Sequence, residues 1–242
     1  MTRSRIVAAA VVLILAIGIG GYVAYDQILR GDSIAPLALP TTAPSSNDPA
    51  ASSDPAASSD GSLAGTWTVT PGSQAGYRVR EQLANLPAES DAVGRTDQVT
   101  GSIAVASDGT TSSVTAATLQ VDTTTIASDK PMRDNRLRTE GLQTDTYKTA
   151  TFTLTQLVAI PAAAISGTSS DVTFVGDLTI HGATKSVSIP AKAQLANGTI
   201  QVAGSISFPL SDYGMTAPNI GGFIVSIADQ GTLEFVVVFA KA

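Results

Sequence analysis

The chain has 242 residues, 20 acidic and 14 basic side chains, and a net charge of −6. The acidic balance argues against nonspecific nucleic-acid binding, which needs a basic footprint. There is no cysteine, which excludes disulfides, thiolate metal sites, cysteine nucleophiles and lipidation of an N-terminal Cys.

In chain order, the first predicted element is apolar. Ile6 to Tyr25, "IVAAAVVLILAIGIGGYVAY", carries no charge. About 20 helical residues cross a hydrocarbon core of ~30 Å. Arg3 and Arg5 precede the run and Asp26 follows it. Residues 1–25 are therefore expected to form a single-pass transmembrane anchor in the cell membrane, with the remainder on the extracytoplasmic side. The competing reading is a cleaved signal peptide, but the apolar run is longer than an ordinary signal core and no clean cleavage site follows it. Residues 26–62 read as a disordered linker. They are rich in Pro, Ser, Ala and Asp, and DPAASS occurs twice, at Asp48–Ser53 and Asp54–Ser59.

Residues 63–242 form one β domain. Apolar residues alternate in "DVTFVGDLTI", "TATFTLTQL", "TKSVSIPAKAQL", "TIQVAGSISFPL" and "GTLEFVVVFA". Period two with one apolar face marks antiparallel strands. Strands are predicted near 66–70, 76–84, 97–106, 113–122, 150–157, 171–180, 184–195, 199–210 and 231–241. Asn197-Gly198 and Asp108-Gly109 are hairpin turns between them. The Asn197-Gly198-Thr199 sequon is read as a turn for the same reason. A sandwich or closed barrel follows. By parity, Gly176, Ala191, Ala193 and Gly204 face inward, and such small residues hint at a hollow interior.

Between Ile126 and Thr155 the pattern breaks. Asp129, Lys130, Arg133, Asp134, Arg136, Arg138 and Glu140 concentrate charge in an otherwise weakly charged chain. Ser128 can cap a short helix with Pro131 in its first turn. Asp129 with Arg133, and Asp134 with Arg138, have the spacing of helical ion pairs, and Met132 and Leu137 are expected to face inward. The segment is too long for a hairpin loop and suggests a flap over a barrel end. A solvated, salt-bridged connection and a charged lid both fit this pattern.

Catalytic chemistry finds little footing. His181 is the single histidine, so a histidine metal cluster is excluded. No G-x-S-x-G motif supports a nucleophile. Asp122 and Asp177 lie in strands, with nothing to fix their separation. No Gly-rich loop enters a helix. His181 reads as a turn histidine bonded to backbone.

The segments "WTVTPGSQAGYRVRE", "VTGSI", "LQVDTTTIASDKPMRDNRL", "TYKTATFTL", "GDLTIHGATKSVSIP", "DYGM" and "GTLEFVVVFA" resemble the YceI family of polyisoprenoid-binding, lipocalin-like proteins. The most specific are Arg133-Asp134 followed by Leu137, and the run from Gly176 through His181-Gly182 to Lys185. The resemblance implies an eight-stranded antiparallel lipocalin-like barrel with a short helical lid. Its lumen would hold an isoprenoid-like or acyl chain, such as a polyisoprenoid or an isoprenoid quinone. On that reading strand parity places Tyr77, Val79, Phe152, Leu154, Phe174, Gly176, Leu178, Ala193, Val202, Ile206, Phe208, Phe235 and Val237 in the lumen. Arg133, Asp134, Leu137 and His181 would stand at the mouth. The expected partners are the membrane and its lipid, with no nucleic acid, metal or enzymatic cofactor. Sequestration rather than catalysis is the implied role. The competing classes are an exported, solid-cored β domain serving as a scaffold or adhesion module, and an enzyme acting on a lipid through His181 or a carboxylate pair.

Overall fold

The computed structural model describes residues 34–40, 63–83, 89–217 and 224–242. Twelve strands form one sheet: β1 Gly65–Val69, β2 Gln74–Leu83, β3 Ser90–Thr96, β4 Val99–Ser107, β5 Ser112–Asp122, β6 Ala127–Ser128, β7 Thr149–Leu154, β8 Val158–Ala159, β9 Ser170–Ile180, β10 Ala183–Ala196, β11 Thr199–Pro209 and β12 Ile224–Lys241. The sheet closes because β12 pairs with both β1 and β2 along one edge. β1 and β2 are two halves of one wall strand, interrupted at 70–73. The buried Ser73 pins this break, its Oγ donating to Thr70 O at 2.8 Å and accepting from Val238 N–H at 3.0 Å. β3 and β4 are likewise halves of one strand, pairing with β2 and β1 respectively. The outcome is an eight-stranded antiparallel barrel. Eight strands enclose a lumen just wide enough to fill with side chains or to hold one small ligand.

The pairing registers define two ends. The β4–β5 and β10–β11 turns and the C-terminus share one end. Asn197 and Gly198 there have φ of 52° and 72°, as a type I′ turn requires. The short helix α2 (Ala162–Ile165) also lies at this end and packs on β10. At the other end lie the β9–β10 turn and the segment between β5 and β7. That segment fills a seam. β4 stays paired with β5, but β3, paired with β2 on one side, turns away from β5 and on that side meets only β6, at Gly94↔Ser128 and Arg95↔Ala127. After β6 comes helix α1 (Pro131–Arg136), which continues as one wider turn over Leu137–Gly141.

β3 was not predicted from the sequence. Its inward positions are Ser90, Ala92, Gly94 and Thr96, which present no large apolar face to read. β12 begins at Ile224, earlier than expected, and a register shift between Ile227 and Gly231 breaks its alternation. The inward glycines carry less of the hollow than parity suggested. A Cβ on Gly176 would meet the Phe152 ring at 2.6 Å and Thr153 O at 2.3 Å, and one on Gly204 would meet the Phe235 ring at 2.8 Å. These positions make room for neighbouring rings.

Within the stretch expected to be a disordered linker, residues 34–40, "IAPLALP", are described, and Ile34 and Ala35 bond the outer wall. Arg78 Nη2 donates to Ile34 O at 2.8 Å and Arg95 Nη2 to Ala35 O at 2.5 Å. Both guanidinium groups are held by Glu234, which is 2% exposed although it projects outward from β12; the Arg95 contact is 2.6 Å and the Arg78 contact 3.4 Å. Arg78 also pairs with Asp91 at 3.0 Å. The expected anchor and the rest of the linker lie outside the described residues. Among the described residues no helix is long and apolar enough to cross a membrane.

Candidate functional site: the lumen and its mouth

The alternation of β5, β7, β9, β10, β11 and β12 turns one apolar row of each strand into the barrel. These rows enclose two adjacent cavities, an inner and an outer lobe. The inner lobe has a volume of about 120 Å³, and its wall includes Ile103, Leu119, Phe152, Phe174, Ala193, Val202, Phe235 and Val237. Leu63, Ile160, Ala164 and Ile165 close it at the α2 end. The outer lobe, about 330 Å³, lies under α1 and is walled by Tyr77, Val79, Val121, Leu137, Phe208 and Met215. Ala75, Val121, Ala150 and Leu233 border both lobes, so the two lie next to one another inside the barrel, the outer one under α1 and the inner one toward α2.

Most sequence-predicted lumen residues line this space. Phe152, Phe174, Leu178, Ala193, Val202, Phe235 and Val237 border the inner lobe; Tyr77, Val79 and Phe208 border the outer one. Leu154 and Ile206 pack into the surrounding apolar clusters without reaching either lobe, and Gly176 is covered by Phe152.

The mouth residues divide differently. Arg133 and Leu137 line the outer lobe. Asp134 does not. Its Oδ1 accepts from Ser128 N–H at 2.9 Å, tying α1 to β6, so the expected Asp134–Arg138 pair does not form and Arg138 bonds Asn135 instead. The Asp129–Arg133 pair does form. Ser128 is not the helix cap; Lys130 holds that position without a side-chain bond. Met132, expected inward, is 75% exposed on the rim. His181 lines neither lobe. It sits in the β9–β10 turn with φ of 51°, Nδ1 lies 3.0 Å from Tyr213 O, and its ring meets Tyr147 at 4.2 Å between centroids. It secures the turn, as the plainer sequence reading held.

Two polar groups stand out at the mouth: Glu81, which the sequence reading missed, and the hydroxyl of the predicted lumen residue Tyr77. Glu81 is 3% exposed and accepts from Arg133 Nη2 at 2.6 Å. It occupies the inward row of β2 after Tyr77 and Val79, and a carboxylate on an apolar row was the available signal for a buried ion pair. Burial disfavours the Arg133 charge, but the Glu81 and Asp129 carboxylates more than offset it, so its pKa stands above the ordinary guanidinium value. The second group is the Tyr77 hydroxyl. Its ring lies over Gly94, where a Cβ would approach Cε1 to 2.4 Å. The hydroxyl is buried without a hydrogen-bond partner. Burial pushes this phenol up to about 12, against the opposing pull of Arg133 and with help from the Asp134, Glu81 and Asp129 carboxylates.

The sign of this shift gives a test. An unfolded tyrosine ionises near its ordinary value of 10, whereas folded Tyr77 stays protonated to about 12. Stability present below pH 10 is therefore lost as pH rises from 10 to 12, by about 2–3 kcal/mol for a two-unit shift. Tyr77→Phe should lose correspondingly less across this window in denaturant titrations. At neutral pH it should cost little stability, because the hydroxyl makes no bond.

Residues 67–239 match the YceI-like domain family. Among solved structures, a polyisoprenoid binding domain from Saccharophagus degradans aligns at 19% identity and a TM-score of 0.56, covering 73% of this chain and 98% of that one. BcnA of Burkholderia cenocepacia aligns at 18% identity and a TM-score of 0.52, covering 69% of this chain and 95% of that one. At these identities the likeness establishes the barrel fold. Among curated proteins no sequence matched the chain.

Proposed function

Because the chain belongs to the YceI-like domain family, we propose that its barrel binds an isoprenoid-class lipid, with the tail in the inner lobe and an uncharged, oxygen-bearing head group at Tyr77. The observation that carries this reading is the pair of adjacent, largely apolar lobes inside the barrel, with an unpartnered buried hydroxyl at the outer one. Burying each CH₂ of such a tail contributes about 0.8 kcal/mol. The Saccharophagus neighbour, described as a polyisoprenoid binding domain, supports the same ligand class.

Arg133 bonds Glu81 and Asp129, so its charge is balanced, while Lys130 and Arg136, the latter 3.9 Å from Glu140, border the same lobe. The Tyr77 hydroxyl is a neutral donor, suited to a carbonyl or hydroxyl oxygen such as that of an isoprenoid quinone or alcohol. Residues 1–25 anchor the protein in the cell membrane, and the barrel works on the extracytoplasmic side. Such a ligand lives in the bilayer, and the protein sequesters or carries it without chemical change.

The test is mass spectrometry of solvent extracts from protein purified without added lipid. An isoprenoid lipid near one per chain is expected, with its amount reduced in Tyr77→Phe. Extracts holding only bulk bilayer lipids, unchanged in that variant, would overturn the assignment.

A further inference from the structure

The inner lobe ends on a floor that is built differently from the lid. We infer that this floor sets the length of the tail the barrel accepts, matching an extended farnesyl chain, and that Ile165 is its specificity-determining residue. The inference rests on the reading of the lumen as an isoprenoid site. Leu63, Ile160, Ala164 and Ile165 line the inner lobe from outside the wall strands. Each is fastened. Leu63 O accepts from Trp67 Nε1 at 2.9 Å. Ile160 N–H donates to Ser112 O at 2.8 Å, directly after β8 pairs with β5 at Val114↔Val158 and Ser113↔Ala159. Ala164 is 2% exposed, and α2 around it packs on β10. Ile165 N–H donates to Pro161 O at 3.2 Å, and a Cβ on Gly167, just past the helix, would stand 3.4 Å from Leu195 O.

A floor held at this many points does not give way to a longer chain. The lid is held more lightly: two-residue β6 pairs with β3, and the side chains of Asp134 and Arg133 bond Ser128 and Glu81. The floor is therefore the fixed end against which a tail is measured. Its depth follows from β12. Leu233 borders both lobes and lies opposite Tyr77 in register, whereas Phe239 lines the inner lobe but not the outer. From Leu233 to Phe239 the strand runs about 20 Å. At the usual strand tilt that is about 15 Å along the barrel axis. A farnesyl chain with its oxygen at Tyr77 fits this depth when extended, and a geranylgeranyl chain does not. The floor side chains are all aliphatic, so they discriminate by length and not by polarity. Ile165 is half-buried and held through its backbone, so its side chain can be altered without cutting a fastening.

The full chain, stripped of lipid and held in amphipol, would be titrated with tritiated geraniol, farnesol and geranylgeraniol, and separately with n-alkanols of graded length. In the parent, farnesol should bind roughly a hundredfold more tightly than geraniol, and geranylgeraniol no more tightly than farnesol. Ile165→Ala lowers the floor and should give geranylgeraniol about a tenfold gain over farnesol. Ile165→Phe raises it and should weaken farnesol about tenfold relative to geraniol. Opposite shifts from one position cannot come from a general loss of stability. Affinity that keeps rising through geranylgeraniol in the parent, or a length limit that neither variant moves, would overturn the floor and leave the isoprenoid reading standing. Alkanols that stop at a length both variants move, with no isoprenoid bound, would overturn the isoprenoid class and leave the floor. Binding of neither series would overturn both.

Discussion

Arg133→Ala should destabilise the barrel by about 3–5 kcal/mol, the usual result of removing one partner of a buried ion pair. Glu81 is 3% exposed and its one ion-pair partner among the described residues is Arg133, at 2.6 Å. Truncating the arginine leaves that carboxylate buried beside Tyr77 and Val79 with no compensating charge. It also frees Asp129 and loosens the start of α1. Glu81→Leu combined with Arg133→Met should recover most of the loss, since an apolar pair of similar volume removes both desolvation costs. Urea denaturation of the three variants measures this directly. An Arg133→Ala variant within about 1 kcal/mol of the parent, the range of an exposed pair, would show that water reaches Glu81.

Ala193→Phe should empty the lumen while leaving the lipid-free barrel nearly as stable as before. Ala193 is buried and borders the inner lobe, so the added ring has a cavity to enter. In a filled core the same change would force strained rotamers at about 1–3 kcal/mol. Once inside, the ring takes space from the tail. Displacing one five-carbon isoprene unit forfeits about 4 kcal/mol of apolar burial, roughly a thousandfold in affinity. Both proteins must be stripped of lipid before their stabilities are compared, because bound ligand raises apparent stability. Strong destabilisation of the stripped variant would mean that the inner lobe has no room, and would count against a lipid tail there.

Strand alternation made the barrel legible because the rows in β7, β9, β10, β11 and β12 combine large apolar residues with polar neighbours. The same logic failed at β3, whose inward row is Ser, Ala, Gly and Thr. Parity also could not tell a small residue that leaves space from one that makes way for a ring, as Gly176 does for Phe152. At the mouth, i,i+4 spacing found the Asp129–Arg133 pair but misassigned Asp134, whose carboxylate accepts from the Ser128 backbone N–H only because β6 folds back beside α1. Glu81 left a readable trace as a charge on an apolar row. Glu234 left none, because it lies on the outward row where a carboxylate is ordinary; what buries it there is a tertiary arrangement with Arg78 and Arg95.

The two-residue pairing of β6 with β3 has a consequence for solubility. A closed barrel has no free edge, but here closure at the lid end depends on Ala127 and Ser128 covering β3 at Gly94 and Arg95. If α1 and β6 detach together, β3 presents unpaired N–H and C=O groups, and an open strand edge is a template for another chain. Asp134, through its bond to Ser128 N–H, is one of the contacts that keeps this cover in place. A variant in which this segment melts would reveal itself first as a dimer or aggregate.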